Sequence, residues 1–223
     1  EKLGDKSNAK ETMKKANVPI VPGSDGEIKD VDESVKVAEK IGYPVIVKAS
    51  AGGGGKGMRV AGNKDELINA IRECEKEAGS YFGNSAVYLE KYLDHTRHVE
   101  IQVIGDNYGN VVYLGERDCT IQRRHQKLVE ESPSPALNES LRKSMGEAAV
   151  NASKAFKYNS VGTVEFLLNE DNNFYFMEMN TRIQVEHGVT EMVTGIDLIK
   201  EQILVSCGNK LSFLQDDIKS NGC

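Results

Sequence analysis

Between Thr163 and Arg182 two carboxylates are spaced so that they can meet. Two β-forming runs, Val161 to Leu168 and Phe174 to Asn180, flank a polar stretch containing Asp171 and Asn172. With those two residues at the centre of a two-residue turn, the register places Glu165 opposite Glu178, and the period of two puts Asn180 on the Glu178 face. Facing carboxylates repel, and Phe166, Tyr175, Phe176 and Met177 indicate partial burial, so the pair needs a shared cation or proton. Two carboxylates with an Asn amide oxygen form a hard-oxygen set for Mg2+ or Mn2+, completed by phosphate oxygens and water. A divalent metal bound to nucleotide fits this set; the competing reading is two glutamates on a solvated edge, reached if the register slips by one residue.

Directly after come Arg182, Gln184 and Glu186, at alternate positions leading from the same strand. A buried Arg beside a carboxylate can bind an anionic substrate and hold a base that takes a proton from it. The plainer alternative is a salt bridge between Arg182 and Glu186.

A third group lies upstream, where Gly52, Gly54 and Gly57 match GxGxxG behind the strand-like run Pro44 to Ser50. A dinucleotide fold needs a helix to begin at the loop and an acidic residue about twenty positions on. Here Met58 to Ala61 continues as a strand, and no acidic residue stands at a strand end at that distance. A phosphate loop of the Walker type fails too, because Lys56 is followed by Gly57 and not by Ser or Thr. What remains is a glycine hairpin whose amides fold over phosphates, with Lys48 as a fixed positive charge, or a surface hairpin without a ligand.

These groups need elements to hold them. The pattern predicts helices over Asp5 to Ala16 and around the stripe Val31, Val35, Ala38 and Ile41, the second stopped by Gly42. It predicts a third with Leu67, Ile71, Cys74 and Ala78 on one face, and a fourth with Leu141, Met145, Ala148, Ala152 and Ala155. A closing helix is expected from about Ile196 to Ser206. Further strands are Ala86 to Leu93, His98 to Ile104 and Val111 to Cys119, the last two joined by a turn at 105–110. Thr120 to Pro135 lacks periodicity and reads as a surface loop. Strands and helices do not alternate regularly, which argues for an α+β fold.

The 223 residues, 39% hydrophobic and 28% charged, suffice for one large unit or two small ones. With 28 Lys and Arg against 34 Asp and Glu, and basic residues scattered, no nucleic-acid or membrane surface is expected. No signal peptide or bilayer-length apolar run is present, so the chain reads as cytoplasmic. Cys74, Cys119, Cys207 and Cys223 lie far apart and read as reduced thiols. A first residue other than Met and an end just past a polar stretch read as an excised piece.

Together the stretches LGDK (3–6), PVIVKASAGGGGKGMRV, VYLEKYL, RHVEIQV, ERDCTIQRRHQKLVEESPSP, GTVEFL and FMEMNTRIQVEH resemble the biotin carboxylase family of the ATP-grasp superfamily, over nearly the whole chain. The resemblance implies a lid at residues 21–92 over a larger base at 93–223, with 1–20 an N-terminal helix of the base and linker. By motif it implies that Lys6 and Lys48 contact ATP phosphates and that Gly53, Gly54 and Gly55 close over them. Glu90, Lys91 and Leu93 would hold the adenine, with His98 and His125 near the nucleotide. Glu165, Glu178 and Asn180 would bind magnesium. Lys127, Arg182, Gln184 and Val185 would surround bicarbonate, with Glu186 as its base and Arg182 stabilising the anionic intermediate.

The implied reaction uses Mg2+ (or Mn2+) and ATP to make carboxyphosphate from bicarbonate, and carboxylates biotin on a carrier protein or domain that serves a carboxyltransferase. The parent would be a homodimer with further N- and C-terminal parts, the latter supplying a biotin-contacting Arg. Without those parts the expectation is weak nucleotide binding and little turnover. A carbamoyl-phosphate-synthetase-like ligase and a nucleotide-binding module without turnover are the alternatives. One departure stands out: the family has Pro after the His of QVEH, and this chain has Gly188, which is expected to loosen that backbone.

Overall fold

A computed structural model of the chain describes residues 6–50, 57–124 and 126–222, with the backbone alone at 6–9 and Phe82. The chain divides into two compact units. One holds Val21–Asp94 with the start of the first helix, α1 (Lys6–Lys15), as far as Lys10; the other holds Glu11–Ile20 and the residues from His95 onward.

The first unit packs α2 (Val31–Ile41) and α3 (Lys64–Phe82) on an antiparallel sheet of order β2-β1-β3, with β1 at Val45–Ala49, β2 at Met58–Ala61 and β3 at Val87–Lys91. Asp30 caps α2 by accepting from the Glu33 amide at 2.7 Å, and Gly42 ends it at φ 79°. At α3, Asn63 accepts from the Glu66 amide at 3.0 Å while Glu66 reaches back to the Gly62 amide at 2.7 Å. The stripes predicted for α2 and α3 supply Val35, Ala38, Leu67, Ile71 and Cys74 to a core shared with Val45, Val47, Ala61, Val87 and Leu89. The period of two then turns Lys48 to the other face of β1, beside Tyr88 and Glu90 of β3.

The second unit is a five-stranded antiparallel sheet of order β6-β5-β4-β7-β8. Its strands are β4 (Arg97–Gly105), β5 (Val111–Arg123), β6 (Gln126–Glu131), β7 (Ser160–Leu168) and β8 (Phe174–Asn180). The helix α4 (Glu139–Ala155) packs on β4 and β5, α5 (His187–Thr194) on β5, and α6 (Leu198–Ser206) on β7. Ile104, Val112, Leu114 and Val161 form a core with Leu198 and Val205 of α6. No helix among the described residues is long and apolar enough to cross a membrane.

Three local readings need correction. The stretch after Cys119 is not a loop: β5 runs on to Arg123 and pairs with β6, turning at Arg124 with φ 52°. Its side chains are mostly exposed, so no apolar alternation betrays the strands. The β7–β8 turn holds three residues, Glu170 to Asn172, closed by the Asn169 amide on the Asn173 carbonyl at 2.9 Å, with Asn172 at φ 62°. That shifts the pairing to Phe166↔Phe176, and an extra residue on β8 shifts it back, so Glu165 still faces Glu178. Finally, residues 181–186 are not an extension of β8 but an irregular segment leading into α5. Arg182, Gln184 and Glu186 therefore share no strand face.

Candidate functional site

Two rows of polar side chains cross the second sheet on one face. Register aligns Arg117, Glu100, Glu165 and Glu178 across β5, β4, β7 and β8, and beside them Gln102, Thr163 and Asn180 across β4, β7 and β8. Glu100 and Arg117 are fully buried, and Gln102, Thr163 and Glu165 are buried with them; Glu178 is exposed at the sheet edge. Glu100, Arg117 and Gln102 were missed as site residues. Their signal is present in RHVEIQV, where His98, Glu100 and Gln102 alternate with apolar residues along a strand otherwise fit for a core.

Lys127, placed by the unexpected β6, binds this group together. Its ammonium lies 3.0 Å from Glu165 Oε1 and 2.7 Å from Glu186 Oε1, and it pairs with Glu100 Oε2. Burial works against its charge, but Glu100 and Glu165 outweigh that and hold its pKa above the usual lysine value. Glu165 Oε1 also accepts from Asn180 Nδ2 at 2.9 Å and Gln184 Nε2 at 3.0 Å. His98 Nε2 lies 3.0 Å from Glu165 Oε2, in range for charge attraction but off the hydrogen-bond axis. Burial opposes ionisation of Glu165, yet His98 and Lys127 prevail and bring its pKa down to about 2. Glu186 is likewise held below the usual carboxylate range, burial opposing and Lys127 lowering.

The segment 181–186 distributes its residues differently from expectation. Gln184 is buried, Val185 is 95% exposed, and Arg182 is exposed, donating to the Ile183 carbonyl at 3.2 Å. The partner of Glu186 is Lys127, and the buried arginine of this site is Arg117. Gly188 sits in the first turn of α5, has an ordinary negative φ, and a Cβ there meets nothing within 4 Å. Proline suits a helix's first turn. Gly188→Pro is thus expected to raise stability by about 0.5 kcal/mol, chiefly by restricting the unfolded chain; a thermal melt that falls would contradict this.

In the first unit Glu90 is buried between two lysines, Lys48 at 2.5 Å from Oε2 and Lys10 at Oε1. Burial opposes its charge and the lysines prevail, so its pKa lies below the usual range. Lys10, unforeseen from sequence, also stands 4.9 Å over the Tyr88 ring. Lys91 turns its ammonium to the Gly42 and Tyr43 carbonyls at 3.1 and 3.0 Å, capping the end of α2, and Leu93 follows β3, half-buried. Lys6 opens α1 by its backbone. The Lys6 side chain, Gly53, Gly54, Gly55 and His125 lie outside the described residues.

A family profile described as "Carbamoyl-phosphate synthase L chain, ATP binding domain" matches residues 5–214. The chain belongs to this ATP-binding family. Biotin carboxylase 1 of Bacillus subtilis (strain 168) is 62% identical over 222 residues, which are 99% of this chain and 49% of that protein. A crystal structure of the biotin carboxylase–βγ-ATP complex from Campylobacter jejuni superposes with a TM-score of 0.92 at 52% identity, covering 99% of this chain and 49% of that one. The biotin carboxylase domain dimer of 2-oxoglutarate carboxylase from Hydrogenobacter thermophilus, solved with MgADP, ADP and bicarbonate, gives 0.91 at 53% identity with the same coverage. The chain spans about half the length of the curated relatives it matches. Its fold is that of the biotin carboxylase ATP-grasp domains.

The ATP-binding domain offers donors that fit a magnesium ion. Asn180 donates through Nδ2 to Glu165, which leaves its Oδ1 outside that bond, and Glu178 stands opposite Glu165 in the register. Such a set of hard oxygens suits Mg2+. His98, Glu100 and Glu165 also bring one ligand atom each within 4.8 Å of the others.

Proposed function

We propose that this ATP-binding domain is the nucleotide and bicarbonate portion of a biotin carboxylase. It would join bicarbonate to the γ-phosphate of ATP as carboxyphosphate, whose carboxyl group passes to biotin on a carrier protein or domain that serves a carboxyltransferase. The parent protein would work as a homodimer. The observation that carries the reading is Lys127, whose ammonium joins Glu165, on the hairpin suited to a metal, to Glu186, a carboxylate suited to act as base.

On this reading Glu186, kept ionised by Lys127, takes the proton of bicarbonate. Lys127, Arg182, Gln184 and the backbone at Val185 hold the anion so that its oxygen attacks the γ-phosphorus and ADP leaves. Carboxyphosphate then breaks to CO2 and phosphate, with Arg182 balancing the charge, and the ureido N–H of biotin gives its proton to that phosphate as the nitrogen bonds the CO2 carbon. Lys6, Lys48 and the amides of Gly53 to Gly55 serve the ATP phosphates, and Glu90, Lys91, Leu93, His98 and His125 the rest of the nucleotide. Mg2+ on Glu165, Glu178 and Asn180 would neutralise phosphate charge. The Hydrogenobacter domain, solved with MgADP and bicarbonate, supports these ligands.

Calorimetric titration of the chain with ADP, with and without Mg2+ and then with bicarbonate, tests the reading. Magnesium-dependent binding is expected, weakened about tenfold in Glu178→Gln, which removes one ligand charge. Equal affinity in the two proteins would take the metal off the hairpin. No uptake of ADP or bicarbonate in any condition would sink the reading.

A further inference from the structure

We infer that Arg117 is a positioning residue for the bicarbonate segment, acting through Gln184, whose amide it orients; this rests on the reading of residues 182–186 given above. Arg117 is 0% exposed, and side-chain oxygens face all three of its nitrogens. Nε donates to Glu100 Oε1 at 2.6 Å, and Nη1 to Gln102 Oε1 and Thr190 Oγ1, both at 2.7 Å. Nη2 donates to Gln184 Oε1 at 3.1 Å and Thr163 Oγ1 at 3.4 Å.

The chemistry of the partners fixes the orientation. Guanidinium has donors and no acceptor, so the carbonyl end of Gln184 must face it. The amide nitrogen of Gln184 is thereby turned to the other side, where it donates to Glu165 Oε1 at 3.0 Å. Without Arg117 the carbonyl end of Gln184 loses the donor that holds it, and the amide is kept at one end only, by the Glu165 carboxylate. Thr190 adds a second tether. It lies on α5 beyond Glu186, so Val185 and Glu186 sit between two points held by one rigid, planar cation. A buried ion pair is by itself a weak source of stability. What Arg117 supplies is direction: it links β4 and β7 to the segment that presents Glu186.

Arg117→Lys keeps the charge beside Glu100, but a single ammonium cannot hold Gln184 and Thr190 in the fork geometry. Side-chain amide NMR signals of Gln184 read the orientation. In Arg117→Lys they are expected to move toward those of a solvent-exposed glutamine, while those of Asn180, which bonds Glu165 without touching Arg117, stay in place. Titration with isotopically labelled bicarbonate in the presence of MgADP should show affinity reduced about tenfold, the equivalent of one lost hydrogen bond to a charged group. Gln184→Met, which leaves Arg117 its other acceptors, should lose as much, and the double variant no more.

Unmoved Gln184 signals in Arg117→Lys would overturn the inference. So would wild-type bicarbonate affinity in Gln184→Met, a result that stands even where Arg117→Lys does not fold. Wild-type protein that takes up no bicarbonate would overturn the proposed function, and the amide signals would still decide whether Arg117 orients Gln184.

Discussion

The Lys127→Met variant is expected to unfold about 3–5 kcal/mol more easily than the parent chain at neutral pH, the usual cost of leaving a buried charge without its partner. Methionine fills much of the space of the lysine stem, so the change isolates the charge. Lys127 is largely buried, and its ammonium serves Glu100, Glu165 and Glu186 together. With it gone, Arg117 still bonds Glu100 Oε1, but Glu165 and Glu186 lose their nearest cation. Denaturant unfolding of the two proteins at neutral pH measures the difference. The gap should narrow in acid, where the carboxylates protonate and no longer need a cation. A loss below about 1 kcal/mol, the size of an exposed pair, would mean that solvent screens the cluster despite its burial.

Acid should reveal the same cluster from the other side. The Glu165 pKa falls from 4.5 to about 2 on folding, because His98 and Lys127 outweigh the opposing effect of burial. Between those values the unfolded chain binds the proton and the folded chain does not, so stability is lost as the pH falls through the window. It is fully present above pH 4.5 and exhausted below about pH 2. A shift of this size corresponds to on the order of 3 kcal/mol. Glu90, Asp106, Asp118 and Glu186 are lowered as well and steepen the same limb. Urea unfolding across this range, repeated with Glu165→Gln, separates the contribution. The variant should be less stable at neutral pH and lose less in acid; parallel curves would show that Glu165 is not the group responsible.

Both predictions depend on residues that differed greatly in how legible they were. Helix stripes and stops were local facts: Val35 and Ala38, Leu67 and Ile71, the Asp30 cap and the Gly42 stop need a few neighbouring residues and a period. Glu165 opposite Glu178 was readable because a short hairpin ties register to chain distance, although a three-residue turn and a bulge had to cancel to give it. The motif order from VKAS to QVEH was enough to point to the biotin carboxylase family.

Contacts between distant strands were not legible in the same way. Glu100 becomes a site residue because β4 lies between β5 and β7, a pairing that brings together positions seventeen and sixty-five residues away in sequence. Lys127 reaches the cluster from a hairpin whose solvated side chains hide its strands. Arg182 was expected as the buried arginine beside Glu186, but it is exposed, and Arg117, far away in sequence, is the one buried against Gln184 and Thr190. The sequence by itself determined the helix stripes, the core strands and the chemical groups that they carry. Which charges meet across distant strands was decided by the tertiary structure, because the energy of a buried charge depends on partners that only the folded sheet brings within hydrogen-bond distance.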